Sequence, residues 1–145
     1  MKLILAISLA FAAQKTFLED LFTNRLVAVE YTKPTLLTFI QPNCGPCKMQ
    51  IEALKCVHEK KGKAVEILLV QSSGDPQVLQ NALRREHLPF KALKGSPKFL
   101  AAFGADTSGT PLTALVDAKG KVLQRILGAQ PCDYWQETLK QVAIP

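Results

Sequence analysis

The sequence predicts an α/β sandwich built on one mixed central sheet. Three observations carry this reading. Apolar, β-rich runs alternate with amphipathic helical segments along the first two thirds of the chain. Two of those helices open with a capping residue followed by proline. The chain then closes with a strand pair joined by a tight turn and a final helix.

The elements follow in order. Residues 17–30 read as an N-terminal strand or hairpin, with Thr23-Asn24-Arg25 as the turn candidate before Leu26-Val27-Ala28-Val29. Lys33-Pro34 breaks that pattern, and residues 35–40 (Thr-Leu-Leu-Thr-Phe-Ile) read as a strand buried on both faces. From residue 44 to 60 the period changes: Met49, Ala53, Leu54 and Val57 recur at helical spacing until Gly62 ends the segment. Residues 65–70 are a second buried strand. Asp75-Pro76 caps a second helix whose stripe is Val78, Leu79, Ala82 and Leu83, ending near His87. Residues 88–93 are a short strand candidate, and Ser96-Pro97 opens a third helix through Phe103. Strands at 112–117 and 122–127 flank the turn Ala118-Lys119-Gly120-Lys121, and a closing helix spans 133–143.

With 145 residues, 48% hydrophobic and 21% charged, the chain has the size of one domain with a single core. The net charge of +6 is spread over separated Lys and Arg, with no basic run interleaved with stacking aromatics. This is a mildly basic surface and argues against nucleic acid as a partner. Residues 1–13 hold Lys2, then a run from Leu3 to Leu9, then Ala10-Phe11-Ala12. That is the layout of a secretory signal cleaved near Ala12 or Ala13, and its apolar stretch of about eleven residues is too short to span a bilayer as a helix. A short buried N-terminal helix is the alternative. Export would put the four cysteines where disulfides persist.

The sequence's chemistry centres on Cys44-Gly45-Pro46-Cys47, where a buried strand runs directly into a helix. The first turn of a helix has unpaired N–H groups and the positive end of the macrodipole, so a thiolate at Cys44 is favoured and its pKa falls below that of a free thiol. Cys44 is thus the expected nucleophile. Cys47, one turn further on, is placed to resolve the mixed disulfide. Pro46 stiffens the turn where its missing N–H is not needed. Zinc is the rival use of such a motif, with Cys56 and His58 as further ligands. Helix geometry argues against it, since Cys56 lies on the opposite face from Cys47 and about 13 Å along the axis; no metal is expected, and His58 and His87 read as solvated helix residues. For Cys56 and Cys132 two readings stay open. One is a structural disulfide worth on the order of 4 kcal/mol by loop-closure entropy; the other is a pair of small half-buried hydrophobes.

Leu36-Leu37-Thr38-Phe39 followed by Cys44-Gly45-Pro46-Cys47-Lys48-Met49 resembles thioredoxin. Gly109-Thr110-Pro111, the strand after it, the Lys119-Gly120-Lys121 turn and Gly128 resemble that family's cis-proline loop and closing hairpin. The segment between the second buried strand and that loop is longer than in thioredoxin by one helix and one strand, and is similar to the exported TlpA/DsbE/ResA-like branch. The resemblance covers roughly residues 31–142. It implies a thioredoxin fold in which a central mixed sheet is flanked by helices, with the helix-strand insertion before the cis-proline loop, as a single domain over 14–145. It also implies that Pro111 is cis beside Cys44 and that the Thr110 backbone, with Gly45, Pro46 and Asn43, meets the substrate.

The chain departs from that pattern at three places. Asn43 stands where an aromatic usually precedes the first Cys, Thr38 where thioredoxin has a buried acid, and Gln50 where several TlpA-like reductases carry Glu. Neither Thr nor Gln serves as a general base.

The implied function is an exported, periplasmic or otherwise extracytoplasmic protein-disulfide reductase. It needs no cofactor beyond the Cys44/Cys47 couple, is re-reduced by a membrane thiol donor and acts as a monomer. The Gly-Pro dipeptide resembles the reducing end of the family, thioredoxin itself lying near about −270 mV. An oxidase or isomerase, and a non-catalytic thioredoxin-fold binding module, are the alternatives.

Overall fold

The computed structural model describes residues 15–142. The expected signal segment, residues 1–13, lies outside them, as does the last residue of the expected closing helix. Five strands form the central sheet: β3 (Thr35–Ile40), β4 (Glu66–Gln71), β5 (Lys91–Lys94), β6 (Leu112–Val116) and β7 (Val122–Leu127). Their order is β5-β4-β3-β6-β7. β4 runs parallel to β3 and β5, while β6 is antiparallel to both β3 and β7. Four helices pack against the sheet: α1 (Gly45–Lys61), α2 (Pro76–Arg84), α3 (Pro97–Phe103) and α4 (Cys132–Val142). The mixed sheet and the extra helix and strand between β4 and β6 match the architecture that the resemblance implies.

β3 lies at the centre, and all six of its residues are buried. Its alternation divides the core. Leu36 and Ile40 face Ile51, Leu54 and Val57 of α1, Leu79 and Leu83 of α2, and Trp135 and Leu139 of α4. Leu37 and Phe39 face the other way, onto Phe99 and Leu100 of α3. Each such aliphatic or aromatic side chain contributes about 1.5–3 kcal/mol when fully buried, so a strand apolar on both sides holds the two helical layers together.

The N-terminal segment is a hairpin, β1 (Thr16–Glu19) and β2 (Leu26–Val29), paired antiparallel. It docks beside the outer edge of β5: the Leu21 N–H donates to Ala92 O at 2.8 Å, and Asp20 bridges Leu93. Lys94 reaches back to Glu19 and Asn24. The edge of β5 is thereby covered by its own chain.

The caps behave as the sequence requires. Asp75 accepts the Gln77 N–H at 2.8 Å and Ser96 accepts the Phe99 N–H at 3.2 Å, each with proline next in the chain. Two expectations shift. The strand expected at 88–93 starts later and runs over Lys91–Lys94, because Pro89 has no N–H to place in a ladder. α2 stops at Arg84 rather than near His87, and His87 takes a left-handed φ of 49°, so it is a turn residue and not a helical one. His58 remains on α1, partly buried and edge-on to Phe90 at 6.2 Å.

Candidate active site

The C-terminal end of β3 delivers the chain through Gln41-Pro42-Asn43 to α1. Cys44 is the N-cap of that helix, in extended conformation, and Pro46 sits in its first turn. Asn43 holds φ at 58°. A left-handed residue is needed there to swing the strand into the helix, and Asn tolerates that conformation better than an aromatic or β-branched residue does. This gives a local reason for one departure from the thioredoxin pattern. The neighbouring loop adds a matching constraint: Gly74, at φ 87°, packs so closely on Pro42 that a Cβ would lie 2.6 Å from its ring.

Cys44 and Cys47 are joined as a disulfide, with Cα atoms 5.2 Å apart. Cys44 is partly exposed, whereas Cys47 retains only 3% of its surface. An incoming sulfur therefore reaches Cys44 first. Two donors converge on the Cys44 Sγ: the Cys47 N–H at 3.1 Å and the Thr110 hydroxyl at 3.5 Å. The Thr110 carbonyl oxygen lies 3.7 Å away. The first turn of α1 contains no acidic residue, so nothing offsets the positive end of the helix dipole. Once the disulfide is opened, the two donors and the helix terminus favour the anionic sulfur at Cys44, while the Thr110 carbonyl, an acceptor, favours the protonated thiol.

The Thr110-Pro111 peptide bond is cis. Pro111 is buried, and its carbonyl accepts the Gly128 N–H at 2.8 Å, which fixes the loop against the end of β7. Thr110 is held beside Cys44 across a sequence distance of 66 residues. Gly45 and Pro46 are exposed at the rim.

Beneath the motif, the two positions where the resemblance places acids are neutral and occupied. The Thr38 and Thr113 hydroxyls, opposite one another on β3 and β6, hydrogen-bond at 2.9 Å. Gln50 is fully buried on α1, its Oε1 accepting the Gln130 N–H at 2.9 Å and its Nε2 donating to Gln130 O at 3.4 Å. Neither side chain takes up a proton in the working pH range. Thr113 and Gln130 escaped the sequence reading, since each partner lies 75 or 80 residues away from the residue it completes.

Cys56 and Cys132 form the second disulfide, with Cα atoms 5.9 Å apart. It ties the fourth turn of α1 to the first residue of α4, two residues beyond the Gln130 backbone that Gln50 holds. The four sulfurs thus divide into two separate pairs.

A family model described as Redoxin matches residues 19–142. The chain belongs to the Redoxin family. Among curated relatives of this Redoxin member is the "Thiol-disulfide oxidoreductase ResA" of Bacillus thuringiensis subsp. konkukian (strain 97-27). It is 27% identical over 112 residues, covering 76% of this chain and 64% of the relative. The chain therefore spans somewhat less than two thirds of the length of the curated relatives it matches.

Solved structures agree on the fold. A thiol:disulfide interchange protein of the thioredoxin family from Chlorobium tepidum TLS superposes with a TM-score of 0.76 at 15% identity, covering 88% of this chain and 92% of the other. A secreted Mycobacterium tuberculosis disulfide oxidoreductase superposes with a TM-score of 0.73 at 17% identity, covering 88% and 96%. The fold is thus the thioredoxin fold, with Cys44 at the helix start and Pro111 opposite it.

Proposed function

We propose that this Redoxin family member is a thiol-disulfide oxidoreductase that reduces protein disulfides outside the cytoplasm. The observation that carries the exchange chemistry is the asymmetry of the Cys44/Cys47 pair: an accessible sulfur at a helix N-cap, with two hydrogen-bond donors, linked to a buried one; the reducing direction rests on the Gly45-Pro46 dipeptide, which resembles the reducing end of the family. In the dithiol form, the Cys44 thiolate attacks one sulfur of a partner's disulfide. A Cys44–partner bond forms as the partner's S–S bond breaks, and the partner's other sulfur leaves as a thiolate that takes a proton from solvent. Cys47, deprotonated, then attacks the Cys44 sulfur and expels the second partner thiol. Two electrons pass to the partner, and the enzyme is left as the Cys44–Cys47 disulfide. The exchange needs no bound cofactor. Gly45, Pro46, Asn43 and the Thr110-Pro111 loop form the rim that the partner meets.

Two observations support the extracytoplasmic part of the reading. One is the Cys56–Cys132 disulfide, a bond that persists in oxidising compartments. The other is the secretory layout of residues 1–13. Among the described residues no helix is long and apolar enough to cross a membrane, and we place the monomeric domain in the periplasm or its equivalent, re-reduced by a membrane thiol donor.

Trapping tests the reading. In Cys47→Ser the resolving sulfur is gone, so a disulfide-bearing partner protein should remain linked to Cys44 on a non-reducing gel and be released by dithiothreitol. Cys44→Ser should trap nothing. Equal trapping by both variants, or by neither, would defeat the assignment of Cys44 as nucleophile.

A further inference from the structure

We propose that the groove between α1 and α2 selects partners by an acidic segment next to their reactive cysteine. The inference rests on the oxidoreductase reading above and specifies its substrate class. A cavity of about 390 Å³ opens beside Cys44 on the side lined by Asn43 and α2. Its apolar lining includes Ile51 of α1 and Leu79 and Leu83 of α2. Two cations, Lys48 and Arg85, also line it. Its volume is at the lower end of the range of ligand-binding clefts and suits a few residues of peptide.

The charge balance decides the occupant. Glu86 also lines the groove; its mostly buried carboxylate is held by Lys55 at 3.2 Å, and Lys55 is shared with Glu52 at 3.3 Å. Lys48 and Arg85 have no ion-pair partner among the described residues. The groove therefore presents two cations that no carboxylate holds at ion-pair distance, Arg85 and Lys48, beside the attacking sulfur; Glu52, four residues on from Lys48, offsets part of the Lys48 charge. Their placement is fixed by the fold: Lys48 is in the first turn of α1, one residue after Cys47, and Arg85 caps the C-terminus of α2. A peptide carrying Asp or Glu beside its cysteine would pair with these two cations while its disulfide lies over Cys44.

The test uses the full chain in its dithiol form and two synthetic peptide disulfides of equal length, one with two Glu flanking its cysteine and one with two Gln. Reduction rates are measured by stopped flow for the native protein, Lys48→Gln, Arg85→Gln and the double variant. The quantity read is the acidic-to-neutral rate ratio within each protein, so that any change in the intrinsic reactivity of Cys44 cancels. The native ratio should be about ten at low ionic strength and shrink as salt is added; each single variant should lower it, and the double variant should bring it close to one. A native ratio near one, or a ratio unchanged in the double variant, would overturn the proposal. Oxidised glutathione provides a third arm: faster reduction of it than of either peptide, lost in the double variant, would assign the groove to a small thiol and overturn the peptide reading. Failure of the native protein to reduce any of the three would overturn the oxidoreductase reading itself, and the groove proposal with it.

Discussion

Gln50 holds the backbone of Gln130 with both ends of its amide, the Gln130 N–H on Oε1 at 2.9 Å and the Gln130 carbonyl on Nε2. A buried side chain of the helix that carries the cysteines thus fixes the loop that leads into α4. An amide does this where a carboxylate cannot, because the site asks for an acceptor and a donor on one planar group.

Gln50→Glu keeps the shape and removes the donor. The Gln130 carbonyl then loses its partner and a carboxylate is buried, which should destabilise the protein by about 1–3 kcal/mol at neutral pH in denaturant unfolding. Burial raises the new carboxyl's folded pKa above its unfolded value of about 4.3. The folded state then holds the proton more tightly, so the variant's deficit should be smallest in acid and grow as pH rises through the folded pKa. A deficit that is constant with pH would contradict this account.

Thr110 should matter to Cys44 through its hydroxyl. Thr110→Val removes the donor at 3.5 Å while keeping the branched shape. The loss of one hydrogen bond is worth about 1 kcal/mol, so the pH midpoint for alkylation of reduced Cys44 should move up by somewhat less than one unit. The Cys47 N–H and the helix terminus remain, so the thiolate should still form more readily than that of a free cysteine.

Asn43 is a backbone position first. Asn43→Gly should be tolerated in stability, whereas Asn43→Val should cost about 1–2 kcal/mol, because a β-branched residue resists a φ of 58°. Thermal unfolding of the oxidised proteins distinguishes the two.

Removing the second disulfide should separate stability from chemistry. The bond closes a loop across a sequence separation of 76 residues. A Cys56→Ser/Cys132→Ser variant should lose on the order of 4 kcal/mol yet still exchange through Cys44 and Cys47. Loss of exchange in a variant that remains folded would give the second pair a part in the reaction.

Much of this arrangement is legible in local sequence, because local physics sets it. Thr35 to Ile40 holds only apolar residues and Thr, with no charge, since both faces of β3 are covered. Asp75-Pro76 and Ser96-Pro97 mark helix starts because cap and proline act within one turn. Cys44 is identifiable as the N-cap sulfur from the strand before it and the helical period after it. What escapes is non-local or conformational. Thr38 and Gln50 read as missing acids until Thr113 and Gln130 are seen to complete them. The groove cations Lys48 and Arg85 sit on different helices, and nothing in their spacing brings them together. Pro89 was visible, but its effect on where β5 begins depended on which residues β4 would pair with.

The central claim is that Cys44 and Cys47 form a reducing dithiol, and its most direct test is the reduction potential of that couple. It should be measured by equilibration in graded glutathione buffers, in the Cys56→Ser/Cys132→Ser variant so that one pair titrates. The account predicts a value well below about −220 mV, more reducing than a typical endoplasmic-reticulum glutathione poise. A value near about −120 mV, at the oxidising end of such enzymes, would contradict the reductase direction, and the absence of any exchange would contradict the enzymatic reading altogether.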